Sequence, residues 1–206
     1  LVPVAIGVAV SGDSTPTREP AAYRGTDLAD FDTSTAVVQR APFCDLVPEA
    51  AVTKALGGAE ATLAEYANGE QSDAFPNGDV AHEYGCRFSP ADTDTDTDTA
   101  SLAAPVEARG WVFAPPITAN AAKALVAAPQ AAGCTPIADA PAYGTPSTAS
   151  YCPAEGSQTV SFRGLFGDAW LACSLALPST VPQPEAVERA GRWCVAVAQA
   201  ASVPLS

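Results

Sequence analysis

At 206 residues, with 48% hydrophobic and 16% charged side chains, the chain has room for one substantial core and a tail. Its 23 acidic residues against 10 basic ones give a formal net charge of -13. That charge excludes a nucleic-acid partner and disfavours an anionic membrane surface, because both depend on cations meeting phosphates.

Residues 1–10, LVPVAIGVAV, are uncharged and apolar. A membrane-spanning helix needs about 20 such residues, so the run fits the residual end of an N-terminal membrane anchor or signal segment that starts upstream. A buried first strand is the competing reading. No methionine occurs, even at position 1, which points to a chain cut from a longer precursor. Residues 11–40 are rich in Ser, Thr, Pro and Asp, with Pro16 and Pro20 set against any helix, and read as a flexible linker. The domain proper is expected over 41–206.

Within it, Pro48–Leu56 reads as a short helix with proline in its first turn, Glu49 beside it and Gly57-Gly58 as a stop. Two β-like runs follow, Val80–Ser89 and Val106–Ala114. Between them lies ADTDTDTDTA at 91–100, whose alternating aspartates resemble the start of a calcium loop. Counting argues against that site. If Asp92 is the first ligand, Thr97 stands where glycine is needed and Ala103 where glutamate is needed; starting at Asp94 gives Thr99 and Pro105. A solvated loop joining the two strands is the better reading. A helix over Ala119–Ala127 is next, with Thr118 placed to cap it.

The second half repeats the order of strand, strand and helix. Thr159–Phe166 and Ala169–Leu177 flank Gly167-Asp168, a dipeptide suited to a type II′ turn. A two-residue loop pairs Phe166 with Ala169, Gly164 with Leu171, Phe162 with Cys173 and Val160 with Leu175 on one apolar face. Leu165 with Trp170, Arg163 with Ala172 and Ser161 with Ser174 then share the other, mixed face. The last helix, Glu185–Ala201, is expected to cross the apolar face, with Gly164 making room for it. The fold class is therefore α+β: an antiparallel sheet covered on one face by helices, with a possible internal duplication.

Six cysteines, Cys44, Cys86, Cys134, Cys152, Cys173 and Cys194, are even in number and no two are closer than 18 residues. Zinc and Cys-x-x-Cys redox sites need closer spacing, so the pattern reads as three disulfides in an oxidising compartment. Cys173 projects toward the last helix, which makes Cys173 with Cys194 the leading pair. The correspondence between halves suggests Cys44 with Cys86 and Cys134 with Cys152, among 15 possible connectivities.

PFCDLVPEAAVTKALGG at 42–58 and EYGCRF at 83–88 resemble the opening of cysteine-stapled envelope domains of actinobacteria. In these a Cys begins a short helix ending in Leu-Gly and a second Cys sits in the first strand. Exported lipoproteins and receptor-kinase sensor domains are similar in outline. The resemblance implies a location in the cell envelope, and no activity. An acylatable Cys near the start, as lipoproteins carry, is missing from this sequence.

Candidate chemistry is sparse. His82 is the only histidine and would have to carry any imidazole site alone; a surface or hydrogen-bonded histidine is the commoner role. Glu107, in the strand of Trp111, is the kind of carboxylate a glycosidase would use, yet nothing selects a partner for it. Trp111 and Trp170 occupy matching places in the two halves and read as packing landmarks, with a sugar or lipid platform as the functional alternative. No catalytic residue, cofactor or metal is expected. The sequence favours a membrane-tethered, non-enzymatic binding or sensor-like module for a small ligand or an envelope protein. A secreted hydrolase using paired carboxylates and a structural spacer are the alternatives.

Overall fold

A computed structural model describes residues 25–71, 79–91 and 106–202. Over these the chain forms helices α1 (Glu49–Ala55), α2 (Ala119–Ala131) and α3 (Gln183–Ala201). Its strands are β1 (Ala61–Tyr66), β2 (Glu83–Pro90), β3 (Glu107–Phe113), β4 (Thr135–Pro136), β5 (Ser147–Ala154), β6 (Ser157–Phe166) and β7 (Ala169–Pro178). One antiparallel sheet holds all seven, in the order β1-β2-β3-β7-β6-β5-β4. The fold is α+β, as the sequence indicates. The apolar run at 1–10 and the aspartates Asp92 to Asp98 lie outside the described residues.

The β6–β7 hairpin has the expected register, including Phe166 with Ala169, Gly164 with Leu171 and Phe162 with Cys173. Gly167 takes φ 65°, while Asp139 is the only described non-glycine residue with positive φ. Positive φ at the first central position alone is the mark of a type II′ turn.

Helix α3 lies across the apolar face that this register creates. Phe162, Leu171, Leu175 and Val160 on the strands and Trp193, Val197 and Ala198 on the helix are all essentially buried, each large side chain contributing about 1.5–3 kcal/mol on removal from water. Gly110 stands opposite Cys173, and a Cβ on it would come within 2.9 Å of Val197 Cγ1. The missing side chain is what lets α3 approach β3. Gly164 does a different job from the one expected: a Cβ there would lie 1.4 Å from the carbonyl oxygen of Tyr143. The space belongs to the segment before β5, whose Thr145 N–H donates to Leu165 O at 2.7 Å and whose Pro146 carbonyl accepts from Leu165 N at 3.1 Å.

Three disulfides lock these layers: Cys44–Cys86, Cys134–Cys152 and Cys173–Cys194, with Cα separations of 5.5, 4.4 and 5.5 Å. The first ties the turn before α1 to β2, the second ties the chain after α2 to β5, and the third ties α3 to β7. Disulfides persist in oxidising compartments, so the domain is extracytoplasmic.

Segment 25–40, part of the expected linker, is packed onto the domain. Leu28 and Val38 are buried, Gln39 N–H donates to Ala201 O at 2.7 Å, and Arg192 pairs with Asp27 at 2.6 Å. The polar composition hid two apolar anchors spaced ten residues apart.

Helix α2 begins where Thr118 Oγ1 accepts from Ala121 N at 3.2 Å. It packs Ala122 on Leu165 and Trp170, side chains that alternate away from α3. The β2–β3 and β6–β7 hairpins therefore meet at the antiparallel β3–β7 pair, while the helices that follow them take opposite faces. Among the described residues no helix is long and apolar enough to cross a membrane.

Candidate binding face of the sheet

On the side away from α3, strand register sets five residues in a row across the sheet. Tyr66 pairs with Gly85, Gly85 with Trp111, Trp111 with Ala172 and Ala172 with Arg163. Two small residues in this row allow the large ones to lie flat. The Tyr66 ring covers Gly85, where a Cβ would come within 2.2 Å of Cζ. From the other side Arg163 reaches across the buried Ala172, and its guanidinium carbon lies 5.7 Å from the centre of the Trp111 ring, within cation–π range. Trp111 is thus flanked by a phenol and a guanidinium, and all three are half-buried.

The polar partners are unevenly distributed. Tyr66 O–H donates to Glu83 Oε1 at 2.6 Å. One row further along stand Arg87 and Arg109, 3.8 and 3.5 Å from Glu107 of the row beyond, and Ser150 and Ser161, which share a hydrogen bond of 2.9 Å. Arg163 Nε, in contrast, is buried with no hydrogen-bond partner among the described residues. Among the described residues three arginines face two glutamates here, a local excess of cations on a chain whose formal charge is -13.

Burial governs the ionisation of the group. It raises the Glu83 carboxyl above its usual range, against the opposing effects of the Tyr66 hydrogen bond and the Arg109 and Arg163 charges. The Tyr66 phenol is pushed up by burial and then by Glu83. Burial lowers Arg163, with Glu83 acting against it; an arginine so placed remains a cation with five donors to satisfy.

The residues singled out in the sequence part company here. His82 is exposed at the entry to β2. Trp170 is 2% exposed beneath α2 and is a packing landmark, whereas Trp111 lies at the centre of the candidate face. Glu83 pairs with Phe113, six residues along β3 from Glu107, which places their backbone positions about 20 Å apart. No cluster of three or more His, Cys, Asp or Glu is gathered for a metal among the described residues.

Concavities among the described residues lie elsewhere, two of them well formed. The larger, about 1080 Å³, is a groove between α1 and α3 lined by Glu49, Lys54, Arg189, Arg192 and Trp193. Its arginines are already engaged, Arg189 with the Ala55 carbonyl at 3.0 Å and Arg192 with Asp27 and Glu188. The smaller, about 360 Å³, lies between Phe43, Leu46, Tyr66 and Tyr84. Neither contains a buried polar group lacking a partner, so chemistry favours the sheet face over the larger volume. No protein-family model and no curated protein sequence matches the chain.

Proposed function

We propose that the domain is a membrane-tethered, non-enzymatic binding or sensor-like module of the cell envelope, and that it takes its ligand on the Trp111 face of the sheet. The observation that carries this reading is Arg163: a half-buried cation over Trp111 whose Nε has no acceptor. A buried donor left without a partner costs about 1–3 kcal/mol, more when it is charged, and a structural spacer has no use for that cost. The uncharged run at 1–10 supports the tether. Hydrolysis by paired carboxylates needs acids about 5–9.5 Å apart, a spacing that Glu83 and Glu107 do not offer. Mapping of amide and indole shifts in the 15N-labelled chain against a library of small fragments tests the proposal. Perturbations are expected to gather around Trp111, Arg163 and Tyr66; perturbations confined to the α1–α3 groove would overturn it.

A further inference from the structure

The two edges of the sheet are protected very unequally. At one end β4 is two residues long and contains Pro136. At the other, β1 has the sequence ATLAEY, without proline or lysine, and is exposed from Ala61 to Glu65. Short edge strands, lysines and prolines are the usual means of keeping an edge from pairing with another chain. The ladder with β2 decides which backbone groups β1 leaves open. Ala91 N donates to Glu60 O at 2.8 Å, and Ala61 stands opposite Pro90, which has no N–H. Hydrogen-bonded pairs alternate along an antiparallel ladder, so Thr62, Ala64 and Tyr66 turn their backbone groups toward β2. Ala61, Leu63 and Glu65 turn theirs outward, and among the described residues those outward N–H and C=O groups meet no partner.

The side chains of this edge are as open as its backbone. On the α3 side, register aligns Val160, Leu175, Ala108, Phe88 and Leu63 in one row. The first four are buried, and Phe88 meets Trp193 of α3 edge-on with ring centroids 5.6 Å apart. Leu63, the last, is 43% exposed. A row of the core thus runs out to the edge of the sheet and stops at a leucine in water.

We propose that β1 is a homodimer interface, pairing antiparallel with β1 of a second copy about a two-fold axis at Leu63. A two-fold interface requires one patch to be complementary to itself, and the open residues of β1 are disposed symmetrically about Leu63. The axis sets Leu63 opposite Leu63 of the second copy, and Glu65 opposite Ala61 of the second copy. All the outward N–H and C=O groups of both strands are then paired, and the apolar row continues across the axis. Charge selects this register. An axis at Glu65 would set two carboxylates face to face, which is destabilising, and one at Ala61 would leave Leu63 beyond the end of the other strand. The symmetry favours a second copy over an extended peptide of another protein, which could add to the edge in any register.

The test combines sedimentation velocity with amide hydrogen exchange on the full 15N-labelled chain, from low micromolar to near-millimolar concentration at constant ionic strength. A monomer–dimer equilibrium is expected. The amides of Ala61, Leu63 and Glu65 should gain protection as the dimer fills, while those of Thr62 and Ala64, bonded to β2, are protected at every concentration. Leu63→Lys sets two like charges at the axis, and Leu63→Pro removes an outward donor without touching the ladder to β2. Each should raise the dimer dissociation constant at least about tenfold and abolish the concentration-dependent protection. Persisting protection of Thr62 and Ala64 shows that a variant keeps its own β1–β2 pairing, and Leu63→Lys decides the case if Leu63→Pro loses it. A monomer throughout the range would overturn the proposal. So would a dimer that Leu63→Lys leaves unweakened, or one whose protection misses Ala61, Leu63 and Glu65, since that dimer uses another surface. Protection of these three amides that is independent of concentration would overturn it in favour of a segment of the same chain lying on the edge.

Discussion

The carbonyl of Tyr143 fills the space above Gly164, and the phenol of the same tyrosine donates to Cys194 O at 3.0 Å. One residue thereby joins the backbone of β6 to the middle of α3. The ring is fully buried and meets Phe162 and Phe166 edge-on, with centroids 6.4 and 5.2 Å apart. Gly164→Ala is expected to be among the most damaging single substitutions, because the clash at 1.4 Å is with backbone that strand hydrogen bonds hold in place. A loss above about 3 kcal/mol in urea unfolding is expected, against about 1 kcal/mol for Tyr143→Phe, which removes one hydrogen bond. Equal losses would mean that the segment before β5 yields easily.

Gly110 and Gly85 make a second, graded comparison. Alanine at Gly110 would press on Val197 at 2.9 Å, a buried side chain with little room to retreat, so a cost of about 1–3 kcal/mol is expected. Adding Val197→Ala should recover part of it, a coupling that a double-mutant cycle reads directly. Alanine at Gly85 meets only the Tyr66 ring, which can swing aside. Gly85→Ala should therefore cost less stability yet displace Tyr66 from Glu83, seen as a shift of the tyrosine ring resonances.

The β6–β7 hairpin was legible because the Gly167-Asp168 turn fixes a register, and that register segregates apolar from mixed residues. Strand β1 carried no such signal: ATLAEY is an edge strand, exposed along nearly its whole length, so no alternation marks it. Strand β5 is similarly hidden, since its Ser, Thr and Pro153 resemble loop sequence, and only Gly156 at φ 70° marks the tight connection to β6. The pair Arg163 and Ala172 was visible within the hairpin, but its meaning was not. Trp111 and Tyr66 join that row through the β3–β7 and β1–β2 pairings, and β3 with β7 is a contact between distant elements that local pattern does not encode.

All six thiols are expected to be oxidised, so alkylation of the denatured, unreduced protein should add no label; six additions would remove the extracytoplasmic assignment. Chain-entropy arithmetic for the 21-residue separation of Cys173 and Cys194 gives about 3 kcal/mol, and for the 42 residues between Cys44 and Cys86 about 4 kcal/mol. Replacing Cys173 and Cys194 together by alanine should lower stability without freeing α3. Trp193 Nε1 still donates to Arg109 O at 2.9 Å, and Tyr143 still holds Cys194 O. Proteolysis of this variant should follow global unfolding, and early release of the C-terminal helix would show that the disulfide alone retains it.

The pH dependence of stability offers a direct reading of Glu83. Its carboxyl is raised in the folded state by burial, which outweighs the Tyr66 hydrogen bond and the Arg109 and Arg163 charges. The folded chain therefore holds this proton more tightly than the unfolded chain, whose carboxyl titrates near the reference value of 4.5. Below that value both states are protonated and Glu83 exacts no penalty. As pH rises through the folded-state value the unfolded state has already released its proton, and stability is lost until the folded carboxyl ionises as well. Glu83→Gln keeps an acceptor for Tyr66 and removes the titration. Urea midpoints measured at intervals from about pH 4 to about pH 7 should show the variant gaining on the parent as pH rises, with the difference levelling off once the folded carboxyl is ionised. The opposite trend would mean that Arg109 and Arg163 attract the carboxylate more strongly than burial repels it.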